Sequence, residues 1–251
     1  MEPRKIYCTG CTKAINHAAR FLSSLGLPLA NEPDLSVGHV LLDVPSFGPT
    51  GLFRNGEDPT SLLASLPADT ILYGGNLDIA PYRCIDFLKD EIYLAENAYI
   101  TAECALDAAL PYMRITLRGC PILILGWGRI GKCLAALLRS IGASVTVAAR
   151  KQEDRAMLNA LGYTAADTAT VQDSLCRYRL IFNTVPFPVL NQDDMKTCHP
   201  DCVKIDLASI PGIEGDDVVI ARGLPGLHMS ESSGLLIAKT FIRYYQKEAF
   251  L

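Results

Sequence analysis

From Pro121 to Lys151 the chain reads PILILGWGRIGKCLAALLRSIGASVTVAARK. A short apolar run is followed by glycines at 126, 128 and 131, then by an amphipathic stretch and a second apolar run, SVTVAA, that closes at Ala149. A strand, a Gly-x-Gly-x-x-Gly turn, a helix and a strand in that order constrain the fold more than any other feature. Gly126 permits a tight turn, Gly128 lets a pyrophosphate approach the backbone, and Gly131 lets helix and strand pack closely. Arg129 and Ile130 complete the turn with Gly131 and are counted with the glycines as cofactor-binding candidates, and the amides and dipole of the helix start favour negative charge there. This context supports dinucleotide binding; a glycine turn kept only for packing is the alternative.

The end of the second strand bears on which dinucleotide. An Asp or Glu there holds the ribose 2′-OH of NAD. Here Ala149 is followed by Arg150 and Lys151, and no carboxylate appears before Glu153. A carboxylate would repel a 2′-phosphate, whereas arginine offers a planar fork matched to phosphate oxygens. NADP is therefore expected over NAD. The competing reading makes Arg150 and Lys151 ordinary solvated charges after a strand.

Length and charge set outer bounds. With 251 residues, 49% of them hydrophobic, the chain can bury a substantial core in one large or two small domains. A net charge of −4 provides no electrostatic footprint for nucleic acid or an anionic membrane. No apolar run reaches the ~18 residues of a membrane span, and MEPRKIYCTG has no apolar signal-peptide core. A cytoplasmic chain is expected. Its nine cysteines are odd in number and scattered, as suits free thiols in a reducing compartment. Cys8-Thr-Gly-Cys11 has redox-pair or half-zinc-site spacing but no second half, so chance thiols are the better reading and no metal site is expected.

Strand and helix patterns alternate along the chain. Strands are expected at 4–8, 39–45, 70–75, 180–186 and 203–209, with a last short strand opening VVIARGLPG. Helices are expected at 13–25, 62–66, 101–113, 152–161, 171–176, 193–198 and 231–247, and YRCIDFLKDE also reads as a helix. Thr101 reads as the cap of the 101–113 helix, with Glu103 in its first turn. The expected fold is α/β: a doubly wound parallel Rossmann domain at 99–230, with a linking helix, after a smaller α/β domain at 1–98. A carboxyl-terminal helix at 231–251 is expected to pack back across the domain interface. Ligands of such sheets bind beyond the carboxyl ends of the strands, which gathers 126–131, Arg150, 183–186 and 208–212 around one crevice.

Five segments together carry a family likeness: ENAYITAECALDAAL (96–110), the glycine turn, FNTVP (182–186), IDLAS-IPG (205–212) and ARGLPGLHMSESSG (221–234). From about Asp86 onward the chain resembles the A subunit of dipicolinate synthase from spore-forming bacteria. More loosely, it is similar to D-2-hydroxyacid dehydrogenases and adenosylhomocysteinase. The resemblance implies a two-domain fold with a nicotinamide nucleotide in the cleft, oxidation of dihydrodipicolinate, a small dicarboxylate, and, as partner, a flavoprotein-like B subunit. A homo-oligomer is also expected. Two departures stand out. Cys104 follows Thr-Ala-Glu where the family usually has glycine, and the amino-terminal half looks shorter and diverges, which puts activity in question more than cofactor binding.

Candidate site residues follow, each with a competing structural reading. Asn183, Thr184, Val185 and Pro186 form an N-T-x-P turn that lies beside the cofactor ribose in related oxidoreductases; a capped strand-ending turn is the alternative. Glu103 is a candidate catalytic carboxylate or a dipole partner in a helix's first turn. Asp206 lies within an apolar strand, where an unpaired carboxylate is costly, so it is either paired structurally or part of the site. His228 has the pKa range of an acid/base group or is a turn histidine. A dicarboxylate would call for cationic donors, for which Arg129, Arg222 and Lys239 are candidates.

Overall fold

The structure, a computed structural model, describes residues 4–48 and 50–249. The first three residues of the segment read above for a signal peptide, and the last two of the expected terminal helix, lie outside the described residues. In chain order come β1 (Lys5–Cys8), α1 (Lys13–Ser24), β2 (Leu29–Ala30), β3 (Val37–Leu41), α2 (Thr60–Ala64), β4 (Ile71–Gly74) and β5 (Arg83–Asp86). Then follow α3 (Glu91–Ala109), β6 (Pro121–Leu125), α4 (Arg129–Ser140), β7 (Ser144–Ala149), α5 (Gln152–Ala160) and β8 (Thr164–Asp167). The chain continues through β9 (Leu180–Asn183), α6 (Gln192–Met195), β10 (Val203–Asp206), β11 (Val218–Ile220), α7 (Leu224–His228) and α8 (Ser230–Ala249). Two compact units result: Met1–Asn97 together with Pro225–Leu251, and Ala98–Leu224.

The second unit is a parallel sheet ordered β11-β10-β9-β6-β7-β8. Numbered from its first strand this is 6-5-4-1-2-3, the doubly wound dinucleotide order, with the reversal between β6 and β9. Ile122–Leu125 and the whole of β9 are buried, as strands covered on both faces must be. Gly131, Leu134, Ala135 and Leu138 form the buried stripe of α4.

The first unit is a smaller parallel sheet ordered β2-β1-β3-β4-β5, which reverses between β1 and β3. Ala14, Ile15, Ala18 and Leu22 line the buried face of α1, and Thr12 caps it by accepting from the Ile15 amide. α8 packs on α1 so closely that a Cβ on Gly234 would fall under 3.0 Å from the Ala14 carbonyl oxygen. The terminal helix therefore groups with the first unit.

Three local expectations are corrected. YRCIDFLKDE is not a helix: Arg83–Asp86 pair in register with Ile71–Gly74 as β5, and only Phe87–Lys89 form a 3₁₀ turn. The open edge of β4 outweighs a weak local helix preference. Thr101 is not at a helix start; it lies inside α3, whose start is capped by Asp90 accepting from the Ile92 and Tyr93 amides at 2.9 and 2.8 Å. Glu103 is thus mid-helix, and residues 98 and 99 lie within one continuous helix. The short strands β2 and β8 were not expected; their sequences LA and TAAD carry no strand signal until a neighbour pairs with them.

Candidate functional site

Gly126 has a φ of +104°, and a Cβ there would meet Thr184 Oγ1 at 2.5 Å. A Cβ on Gly131 would lie under 3.0 Å from the Gly126 carbonyl oxygen, so helix and turn touch where only glycine fits. Gly128 differs: nothing lies within 4 Å of its Cβ position, and it begins the twelve-residue α4 without a side-chain cap. Two glycines therefore close the turn against the sheet and the third leaves open space at an uncapped helix start. That is the cradle a pyrophosphate requires.

The turn opens onto a cavity of ≈ 810 Å³ lined by residues 126–128, 148–151, 154, 167–169 and 184–189. It lies at the carboxyl ends of the strands on both sides of the reversal, within the size range of small-molecule sites. Arg150 and Lys151 line it and are exposed. So do Trp127, Asp167 and Phe187, the last 70% exposed, which sequence reasoning missed. Trp127 was legible as the aromatic inside the glycine turn; its edge-on contact with Tyr163 at 5.8 Å was not.

The N-T-x-P turn divides in two. Thr184, Val185 and Pro186 line the cavity, and Thr184 Oγ1 donates to the Leu125 carbonyl at 2.9 Å, tying β9 to β6. Asn183 is fully buried and its amide is committed: Nδ2 donates to the Val185 carbonyl and to Asp206 Oδ1, each at 3.1 Å, and Oδ1 accepts from the Val185 amide at 3.0 Å. The Asn183 amide group is thus engaged within the turn, as the capped strand-ending alternative describes.

Asp206 has the structural partners that one of its two readings called for. Its carboxylate, 1% exposed, accepts from Asn183 Nδ2 and from the amides of Ala208 (3.0 Å), Gly212 (2.7 Å) and Ile213 (3.0 Å). Its two oxygens thus accept four donors, all from the protein. It acts as the node that fixes the loops after β9 and β10, and Gly212 is glycine because a Cβ would press on the Phe187 and Val185 carbonyls at 2.8 Å.

The other candidates are dispersed. Glu103 is half-buried along α3. Exposed Arg129 and half-buried Ile130 start α4, and neither lines the cavity. His228 is exposed at the end of α7 and groups with the first unit. Arg222 Nε donates to the Ala208 carbonyl at 3.1 Å, and Lys239 is exposed on α8.

The first unit has its own cavity of ≈ 640 Å³, lined by Thr9, Gly10, Cys11, Asp43, Ser46 and Arg54 among others. Here the start of α1 already holds an anion: Asp43 accepts from the Cys11 amide at 2.7 Å and from Thr12 Oγ1. An internal carboxylate thus occupies the position that α4 leaves open in the second unit. Burial pushes the Cys8 thiol up to about 12, and burial together with the Asp43 charge also raises Cys11. Both changes disfavour the thiolate a redox pair needs. Among the described residues, no helix is long and apolar enough to cross a membrane.

No family model matches the chain. A curated relative, the A subunit of dipicolinate synthase from Bacillus subtilis, is 28% identical over 160 residues, which are 61% of this chain. Over the matched residues this chain is similar to that subunit. The match spans about half of the relative's length, 54%. The crystal structure of the same subunit from Bacillus halodurans superposes with a TM-score of 0.83 at 19% identity, over 96% of this chain and 97% of that one. A transhydrogenase from Sinorhizobium meliloti gives 0.71 at 15% identity, over 92% and 80%. These two likenesses establish the fold. The first of them covers nearly all of both chains, so the fold of the amino-terminal half is shared as well.

Proposed function

We propose that the chain is a cytoplasmic NADP-dependent oxidoreductase that converts dihydrodipicolinate to dipicolinate, acting with a flavoprotein-like second subunit. The observation that carries this reading is one cavity that joins the open glycine cradle to Arg150 and Lys151 at the end of β7. A phosphate bound at Gly128 and a 2′-phosphate met by Arg150 would both be held by groups already exposed there. Bound NADP⁺ supplies a hydride acceptor, and aromatisation of the dihydropyridine ring then needs only the loss of one proton. With Asp206 committed to structure, Glu103 and His228 remain as candidates to take that proton.

The sole tryptophan, Trp127, sits in the glycine turn and lines the cavity, so its fluorescence is the natural probe of nucleotide binding. Its fluorescence should respond to NADPH with higher affinity than to NADH. Arg150→Ala should weaken NADPH by about tenfold or more and leave NADH nearly unchanged, as loss of one charge-assisted contact requires. An NADH preference that survives Arg150→Ala would refute the cofactor reading. Turnover of dihydrodipicolinate, with and without the second subunit, tests the reaction. A second reading, a nucleotide-binding subunit without turnover of its own, is favoured by the structural commitment of both Asn183 and Asp206. Tight NADPH binding without turnover under any condition would select it.

A further inference from the structure

We propose that Arg155 is a positioning residue that sets cofactor preference by cancelling the charge of Asp167 at the 2′-phosphate position. The inference rests on the NADP reading above. Asp167 ends β8 directly opposite Ala149, the last residue of β7, and lines the same cavity as Arg150 and Lys151. Paired strands lie about 5 Å apart. A carboxylate one strand over from the end of β7 would therefore act much as an acid on β7 itself, repelling a 2′-phosphate and attracting ribose hydroxyls.

The charged side chains lining the cavity are Arg150, Lys151, Asp154 and Asp167, and their formal charges cancel. Taken alone, that lining offers a phosphate dianion no net attraction. Arg155, from the first turns of α5, changes the sum. Its Nη2 pairs with Asp167 Oδ2 at 3.0 Å, and its Nη1 donates to the carbonyls of Ala149 at 2.9 Å and Arg150 at 2.7 Å. The guanidinium thus ties the ends of β7 and β8 together, neutralises one carboxylate, and anchors the backbone that carries Arg150. The pair is only partly exposed, 24% at Arg155 and 36% at Asp167, so solvent screens it less than a free surface pair. A lysine could not replace it, because one ammonium lacks the planar fork that reaches a carboxylate and two carbonyls together.

The test measures NADPH and NADH dissociation constants by Trp127 fluorescence for the wild type, R155Q, D167N and R155Q/D167N, with thermal melts to confirm folding. The wild type should prefer NADPH. R155Q should lose about tenfold of that preference as the Asp167 charge is uncovered. D167N should keep or increase it, and the double variant should regain most of what R155Q lost, which a merely structural role for Arg155 would not produce. A wild type that prefers NADH overturns the NADP reading itself. A wild type that prefers NADPH with R155Q unchanged overturns the role of Arg155 alone. Failure of the double variant to recover overturns charge cancellation as its cause. Should R155Q not fold, a D167N variant with reduced NADPH preference overturns the proposal by itself.

Discussion

A methyl group added at Gly131 would sit under 3.0 Å from the carbonyl oxygen of Gly126, and neither backbone can yield without opening the turn. Gly131→Ala should therefore cost about 1–3 kcal/mol in urea unfolding and weaken NADPH binding in parallel. Asp206→Asn tests the opposite kind of residue, one needed for its lone pairs. The amide must turn an NH₂ toward backbone donors that now find oxygen, at a cost of about 1–3 kcal/mol. Cofactor affinity should fall because the loops after β9 and β10 loosen; a variant with full stability and affinity but no turnover would return Asp206 to catalysis. At this scale the glycines were legible because their stereochemistry is local. Asp206 was legible only as a carboxylate that needed partners, since its donors arrive from residues 183, 208, 212 and 213 and only folding brings them together.

Between elements, a polar tie in the first unit joins the start of α3 to α8. Asp90 caps α3 with one oxygen, and with the other accepts from Arg243 Nη2 at 2.8 Å and Tyr244 Oη at 2.6 Å. Burial pulls this carboxyl upward, but the bonds from Tyr244, the Tyr93 amide and Arg243 outweigh it and hold it below the usual 3.8. A depressed folded-state pKa contributes stability that is present above the unfolded value and lost as pH falls through the folded one. Asp90→Asn should accordingly lower stability at pH 7 by about 1.5–3 kcal/mol, with the gap to wild type closing only below about pH 4. Urea midpoints taken from pH 7 to pH 3 check this, and a gap constant across that range would contradict it. Helices with a clear apolar stripe were legible because their period of 3.6 is written in sequence: α1 to within a residue, and α4 as a helix between the glycine turn and β7. β5 and β8 were not, because a short strand is stabilised by the edge it joins, and that edge is distant in sequence.

Over the whole molecule, two parallel α/β units treat the same feature differently. In the first, Asp43 fills the anion position at a helix start; in the second, that position is open. Cofactor should therefore stabilise the chain through its second unit. NADPH at a hundred times its dissociation constant should add about 2.7 kcal/mol, and NADH at the same concentration less. Differential scanning calorimetry reads both. Salt should reduce the NADPH effect more than the NADH effect, because the extra attraction comes from exposed charges. Equal stabilisation by the two nucleotides would count against the role of Arg150.

Sequence alone determined that this chain contains a doubly wound parallel unit and where its glycine turn lies. Glycine stereochemistry, hydrophobic period and the basic pair after Ala149 all act within about thirty residues, so no distant contact is needed to read them. Only the tertiary structure decided which polar residues are free to meet a ligand. Asn183 and Asp206 satisfy each other and the loops, Asp43 closes one helix start, and Arg155 covers Asp167. Buried or partly buried donors and acceptors must find partners, and those partners come from elements that neighbour one another only after the sheets have formed.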